Sequence, residues 1–187
     1  AKKTSEEKLK KIEEVQKAVS GLPENVFIYE PAYKRYTLTK QIQYERNSAE
    51  IPMSDYEYLT TVGNEINKMI GKLKDKYNSD SIKYLIVIEG MASKIGGTEE
   101  SNYLLSYLRA RSIYEFWKNR SINFDPEICE VMLSGSGLGG VGRFNGQDEF
   151  KNQRILIQIV PKLSKFKAND TPLKASVLWM KDRLILI

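Results

Sequence analysis

The chain has no histidine, a single cysteine (Cys129) and no long apolar run among its 187 residues. Without histidine, imidazole acid/base catalysis is excluded, and so are most zinc and iron sites. A lone cysteine excludes an internal disulfide and a cysteine-built metal centre, and reads as a small apolar residue of a core strand. No stretch approaches the roughly 20 apolar residues of a membrane span. No secretory signal reads at the start, which is Ala1 rather than a methionine, so a removed anchor or signal ahead of it is an expectation.

What is present suits one domain with extensions, large enough to bury a sizeable core. Hydrophobic residues make up 41% and charged residues 28%, and the formal net charge is +5. Lysines interleaved with acids produce that surplus, so it does not point to nucleic acid.

Thr4 to Ser20 reads as a charged helix with a Thr4/Glu7 capping box, an apolar stripe of Leu9, Ile12, Val15 and Val19, and a stop at Gly21 and Pro23. Val26 to Tyr44 alternates in polarity, as short strands do. Ser54 and Glu57 suggest a second capping box, and Leu59, Val62, Ile66, Met69, Ile70 and Leu73 carry helical spacing to about Lys76. Ile82 to Ile88 is a β-former run. Thr98, Glu99 and Glu100 then open a helix to about Asn119. Ile128–Ser134 and Gln153–Val160 read as late strands, the second stopped by Pro161, with a glycine-rich loop from Gly135 to Gln147 between them. Val177 to Ile187 is apolar enough to require a packing partner. Strands alternating with helices predict an α/β (α+β) sandwich with a mixed sheet.

Gly135, Gly137 and Gly140 satisfy a G-x-G-x-x-G spacing, but Val141–Gly146 follows where a nucleotide site needs a helix, and the expected acid falls in an apolar strand. Ser93, Ser106, Ser134 and Ser136 have no histidine to activate them. The paired glutamates are neighbours in sequence, on helix starts or solvated faces. The reading is therefore non-enzymatic, with no metal and no cofactor. Recognition remains. Asn102, Ser106 and Arg109 fall at i, i+4 and i+7 of one helix face, and the planar fork of Arg109 suits a carboxylate. The plainer alternative stands beside it: Arg109 paired with a nearby acid, and Asn102 capping the loop.

The stretch N102-Y-L-L-S-Y-L-R-A110 resembles the N-x-x-L-S-x-x-R-A helix of the OmpA C-terminal-like domain, the family that includes MotB-type stators and peptidoglycan-associated lipoproteins. Gly90 to Ser93 occupies the place of its G-H-T-D strand end, and I42-Q-Y-E-R-N-S-A-E-I51 that of V-x-F-x-x-G-S-A-x-L. Ser121 to Pro126 (S-I-N-F-D-P) stands at the turn after the helix, and Asn152 to Ile159 (N-Q-R-I-L-I-Q-I) at the N-R-R-V-E-I strand. The resemblance covers roughly Gln41 to Val160 in order. It implies a βαβαββ sandwich at 25–162, with 1–24 leading to a missing N-terminal anchor and 163–187 packing on the domain. It further implies non-covalent binding of the peptide stem of peptidoglycan, at the periplasmic cell envelope of a Gram-negative bacterium, tying a membrane component to the wall. In that family the arginine grips a diaminopimelate carboxylate and the T-D aspartate holds its ammonium. Ser93, Asn102, Ser106, Arg109 and Arg154 are the expected ligand-binding residues. The partners it implies are peptidoglycan and no nucleic acid, with a homodimer left open.

The aspartate does not carry over, since its place falls at Ser93. A missing charge-assisted hydrogen bond costs about 1.5–3 kcal/mol, roughly one to two orders of magnitude in affinity. Glu99 or Glu100 could substitute, or Ser93 could suit a different stem peptide. A rival reading keeps the fold and makes it a protein-interaction module with a degenerate pocket.

Overall fold

The computed structural model describes residues 2–77, 82–94 and 97–163. The apolar run Val177–Ile187, expected to pack on the domain, lies outside the described residues. In chain order the elements are α1 (Lys2–Ala18), β1 (Phe27–Glu30), β2 (Arg35–Leu38), α2 (Tyr56–Tyr77), β3 (Ile82–Gly90), α3 (Glu99–Asn119), β4 (Cys129–Gly135) and β5 (Ile155–Leu163). From β2 onward this is the βαβαββ order that the resemblance implies. The fold is a mixed α/β sandwich.

One five-stranded sheet has the order β1-β2-β5-β3-β4. β4 runs parallel to β3, as the α3 crossover requires, and β5 inserts antiparallel between β2 and β3. Tyr84, Ile86 and Ile88 of β3 and Ile157 and Ile159 of β5 share the face turned to the helices. The α2 stripe Leu59, Val62, Ile66, Met69, Ile70 and Leu73 is buried against it, as its spacing predicts. Val15 and Val19 of α1 enter the same core, where the Tyr36 hydroxyl donates to Val19 O at 2.5 Å and accepts from Leu22 N at 3.2 Å. No helix among the described residues is long and apolar enough to cross a membrane.

Several boundaries differ from the sequence reading. α1 starts at Lys2, so Thr4 lies inside its first turn rather than ahead of it. α2 follows a 3-10 turn at Met53–Asp55, which takes up Ser54 before the helix begins. β2 ends at Leu38, although Ile42 and Tyr44 are buried beyond it. There side chains replace the ladder: Gln41 donates to Phe150 O and Gln153 O, and Gln43 N donates to the Asp55 carboxylate. β5 runs through Pro161, which is opposite Tyr84. Past Ile157 that strand has β3 alone as a partner, so a residue lacking N–H is tolerated.

Trp117 is fully buried, its indole N–H donating to Leu59 O at 2.8 Å. A methyl group on Gly63 of α2 would meet the indole Nε1 at 2.7 Å. Alanine gains about 1 kcal/mol of helix propensity, but overpacking a pinned ring costs about 1–3 kcal/mol. Gly63→Ala should therefore lower the urea midpoint. An unchanged or raised midpoint would show that Trp117 yields freely.

Candidate functional site

The start of α3 is built as its sequence suggests. Thr98 is extended at φ −81° and its hydroxyl accepts from Ser101 N at 3.2 Å, while Glu99 and Glu100 occupy the first turn. The helix lies unusually close to the ends of β3 and β4. A Cβ on Gly90 would stand 2.0 Å from Ser106 O, and one on Gly135 would stand 2.5 Å from Tyr107 N. Ser106, with no exposure, sits at this contact: its hydroxyl donates to Tyr103 O at 2.8 Å and accepts from Gly137 N at 2.9 Å.

Arg109, one helical turn on, is only 3% exposed. Its Nε donates to Ser48 O at 3.0 Å, its Nη2 to Glu45 O at 3.4 Å, and the guanidinium stands 4.6 Å from the Tyr44 ring centre. The receiving turn is closed by Ser48 N to Glu45 O at 3.1 Å, with Asn47 at φ 57°. No carboxylate among the described residues pairs with this cation, and no hydrogen bond among them uses its Nη1. Burial lowers the Arg109 pKa, and nearby Tyr44 opposes that shift. The expected alternative, an acid paired with Arg109, is not what the described residues form.

Burial also pushes the phenol of Tyr44 from 10.0 to about 12, partly offset by Ser112 and by the charge of Arg109. Tyr36 rises to about 12 and the Cys129 thiol from 9.0 to about 12, in both through burial. In the unfolded chain these groups ionise first. Their stabilisation is complete below about pH 9 and is lost as pH rises toward about 12, by up to roughly 1.4 kcal/mol per pH unit for each group. Denaturation midpoints should fall steadily on alkaline titration, and Tyr44→Phe should flatten that fall; an unchanged slope would count against a buried Tyr44 phenol.

The other expected residues divide. Asn102, 6% exposed, turns its amide back to Thr98 O at 2.8 Å. Ser93 is half-buried just beyond β3, next to Lys94, whose N–H donates to Glu149 Oε1 at 2.7 Å. Glu99 and Glu100 are exposed, and neither pairs with Arg109. Arg154 lies on the sheet face away from the helices, where Nη1 pairs with Glu30 at 3.0 Å and Nη2 donates to Gly142 O at 2.8 Å. Arg35 pairs with the same Glu30 and donates to Val141 O at 3.1 Å. Arg143 spans Gly139 O at 3.1 Å, Ala92 O at 2.8 Å and Glu149 at 3.2 Å. These three arginines clip the glycine-rich segment onto the sheet. A 3-10 turn at Gly146–Asn152 follows that segment in place of the α-helix a dinucleotide site needs.

Structure thus brings Arg109 to the Tyr44–Ser48 turn and leaves Ser106 and Arg154 with the glycine-rich segment. The turn carbonyls and the Glu30–Arg35–Arg154 cluster were not among the expected residues. Two sequence signals led toward the turn: Tyr44 at the end of an alternating run, and the resemblance of the segment from Ile42 to Ile51 to V-x-F-x-x-G-S-A-x-L.

No family model and no curated protein matches the chain. Solved structures do. An outer membrane protein of Borrelia burgdorferi B31 is similar over 73% of this chain and 99% of its own, at 23% identity and a TM-score of 0.46. The cell wall anchor of the type VI secretion system of Pseudomonas aeruginosa is similar over 70% and 81%, at 13% identity and 0.45. The OmpA-like domain of FopA1 from Francisella tularensis is similar over 76% and 84%, at 16% and 0.41. The structures this chain is similar to thus include an OmpA-like domain, an outer membrane protein and a cell wall anchor.

Proposed function

We propose that this is a non-enzymatic cell-envelope domain that binds the peptide stem of peptidoglycan through Arg109 and ties a membrane component to the cell wall. One observation carries the reading: a buried guanidinium with no carboxylate partner among the described residues, held by backbone carbonyls and an aromatic face, with Nη1 uncommitted there. Isolated buried charges are costly, so such a cation is explained by a ligand that supplies the anion. The matching N-x-x-L-S-x-x-R-A residues give that anion a class, a stem-peptide carboxylate. Asn102 and Ser93 belong to the rim of this site. Ser106 and Arg154 support it by holding the glycine-rich segment against α3 and the sheet. With serine at position 93, a ligand ammonium has no acid at that place.

The second reading, a protein-interaction module with a degenerate pocket, is favoured by the same engagement of Ser106 and Arg154 in purely internal bonds. Purified sacculi separate the two. The chain should pellet with them, and a soluble stem peptide should release it. No pelleting, or pelleting indifferent to the peptide, sinks the first reading.

A further inference from the structure

Helices cover one face of the sheet, and the other is covered only in part. The register places Ile28, Thr37, Leu156, Gln158, Val160, Leu85, Val87 and Met132 together on that second face. Toward the start of β5 the clipped glycine-rich segment closes it, and Leu156 is 1% exposed. Toward the end of β5 nothing among the described residues closes it: Met132 is 41% and Val160 39% exposed, with Leu85 and Val87 half-buried between them. Lys83, Lys162 and Glu130 rim this patch, the last two paired at 2.9 Å.

We propose that the chain's own segment Val177–Ile187 docks on this uncovered half of the sheet. Its sequence, V-L-W-M-K-D-R-L-I-L-I, is apolar except at Lys181, Asp182 and Arg183. Burying such a run against an apolar patch removes both from water. The connection is sufficient. β5 ends at Leu163, at the uncovered end of the face, and residues 164–176 precede the apolar run. Thirteen residues reach up to about 43 Å when extended, against about 30 Å for the length of a nine-residue strand such as β3 or β5. The segment can therefore turn back and lie on the patch without strain. Its three central charges match a rim that carries both signs. The inference is independent of what Arg109 binds.

The test uses the full chain with Met132→Cys, labelled with a bimane dye that tryptophan quenches on contact. Cys129 is buried with its thiol pushed up to about 12, so it stays unlabelled in the folded protein. Trp117 is fully buried in the helical core, which leaves Trp179 as the quencher. The expected result is strong quenching that persists on dilution and is relieved several-fold by Trp179→Phe. Emission indifferent to Trp179→Phe overturns the proposal. So does quenching that fades on dilution, or that is restored by adding unlabelled chain to the Trp179→Phe protein, since a second copy is then the occupant. Circular dichroism of the labelled chain checks that the exposed Met132 position tolerates the dye.

Discussion

Replacing Arg109 by methionine should weaken sacculus binding by about one to two orders of magnitude while leaving the unfolding midpoint unchanged or raised. The two effects part because they arise from different atoms. A ligand carboxylate would lose the charge-assisted hydrogen bond of a buried guanidinium, which the exposed, solvated Arg46 of the same turn does not replace at equal strength. The fold would lose two bonds to Ser48 O and Glu45 O, at 3.0 and 3.4 Å, but would also lose a desolvated charge. Methionine fills similar volume beside the Tyr44 ring and keeps a favourable sulfur–aromatic contact. A buried cation with no carboxylate partner among the described residues is costly to keep, so exchanging it for an apolar side chain is near neutral or stabilising. If Arg109 served only to staple the turn, the midpoint would drop and binding would be untouched. Arg109→Lys sharpens the comparison, because a lysine keeps the charge and loses the planar fork.

Gly90→Ala should be the most damaging single substitution in the sheet. A Cβ there would stand 2.0 Å from Ser106 O and 2.9 Å from its carbonyl carbon. These are backbone atoms in the middle of α3, so no rotamer change relieves the clash. The helix and β3 must separate by roughly an ångström to restore ordinary contact distances, opening the packing around fully buried Ile88, Ala110 and Ile113. The separation would also strain the Ser136 N to Gly90 O bond at 3.0 Å and the Gly137 N to Ser106 Oγ bond at 2.9 Å. Overpacking alone typically costs about 1–3 kcal/mol, and loss of α3 docking adds to it. The variant should unfold well below the parent in urea, or fail to accumulate. A midpoint within experimental scatter would mean that α3 sits further from the strand than described.

The elements governed by local pattern were legible in the residues. The α2 stripe and the β-former run at Ile82 reported their own burial, and Thr98, Glu99 and Glu100 marked the start of α3 to the residue. The direction of Arg109 was legible as a helix position. What it touches was not, because Glu45 and Ser48 offer backbone carbonyls that carry no side-chain signature. The role of Arg154 was equally hidden. Its partner Glu30 lies 124 positions away and faces it only because β2 separates β1 from β5 in the sheet. Ser106 looked like a ligand donor by spacing alone; only the approach of Gly135 and Gly137 to α3 shows what its hydroxyl holds. The same spacing served three different jobs.

The place of β5 in the sheet has a consequence for how the molecule comes into being. The last strand in sequence among the described residues occupies the centre, joining β2 at Tyr36–Ile157 to β3 along its full length. Until Ile155–Leu163 is available, the β1–β2 hairpin and the β3–β4 pair have no common hydrogen-bonded partner. A nascent chain or a fragment ending before Ile155 would then be two unfinished pieces with bare strand edges. Pairings across such separations are slow to form, since loop closure precedes any gain. Acquisition of the native state is therefore deferred until that strand has been made and is close to all-or-none, and the incomplete chain is the species most prone to aggregate.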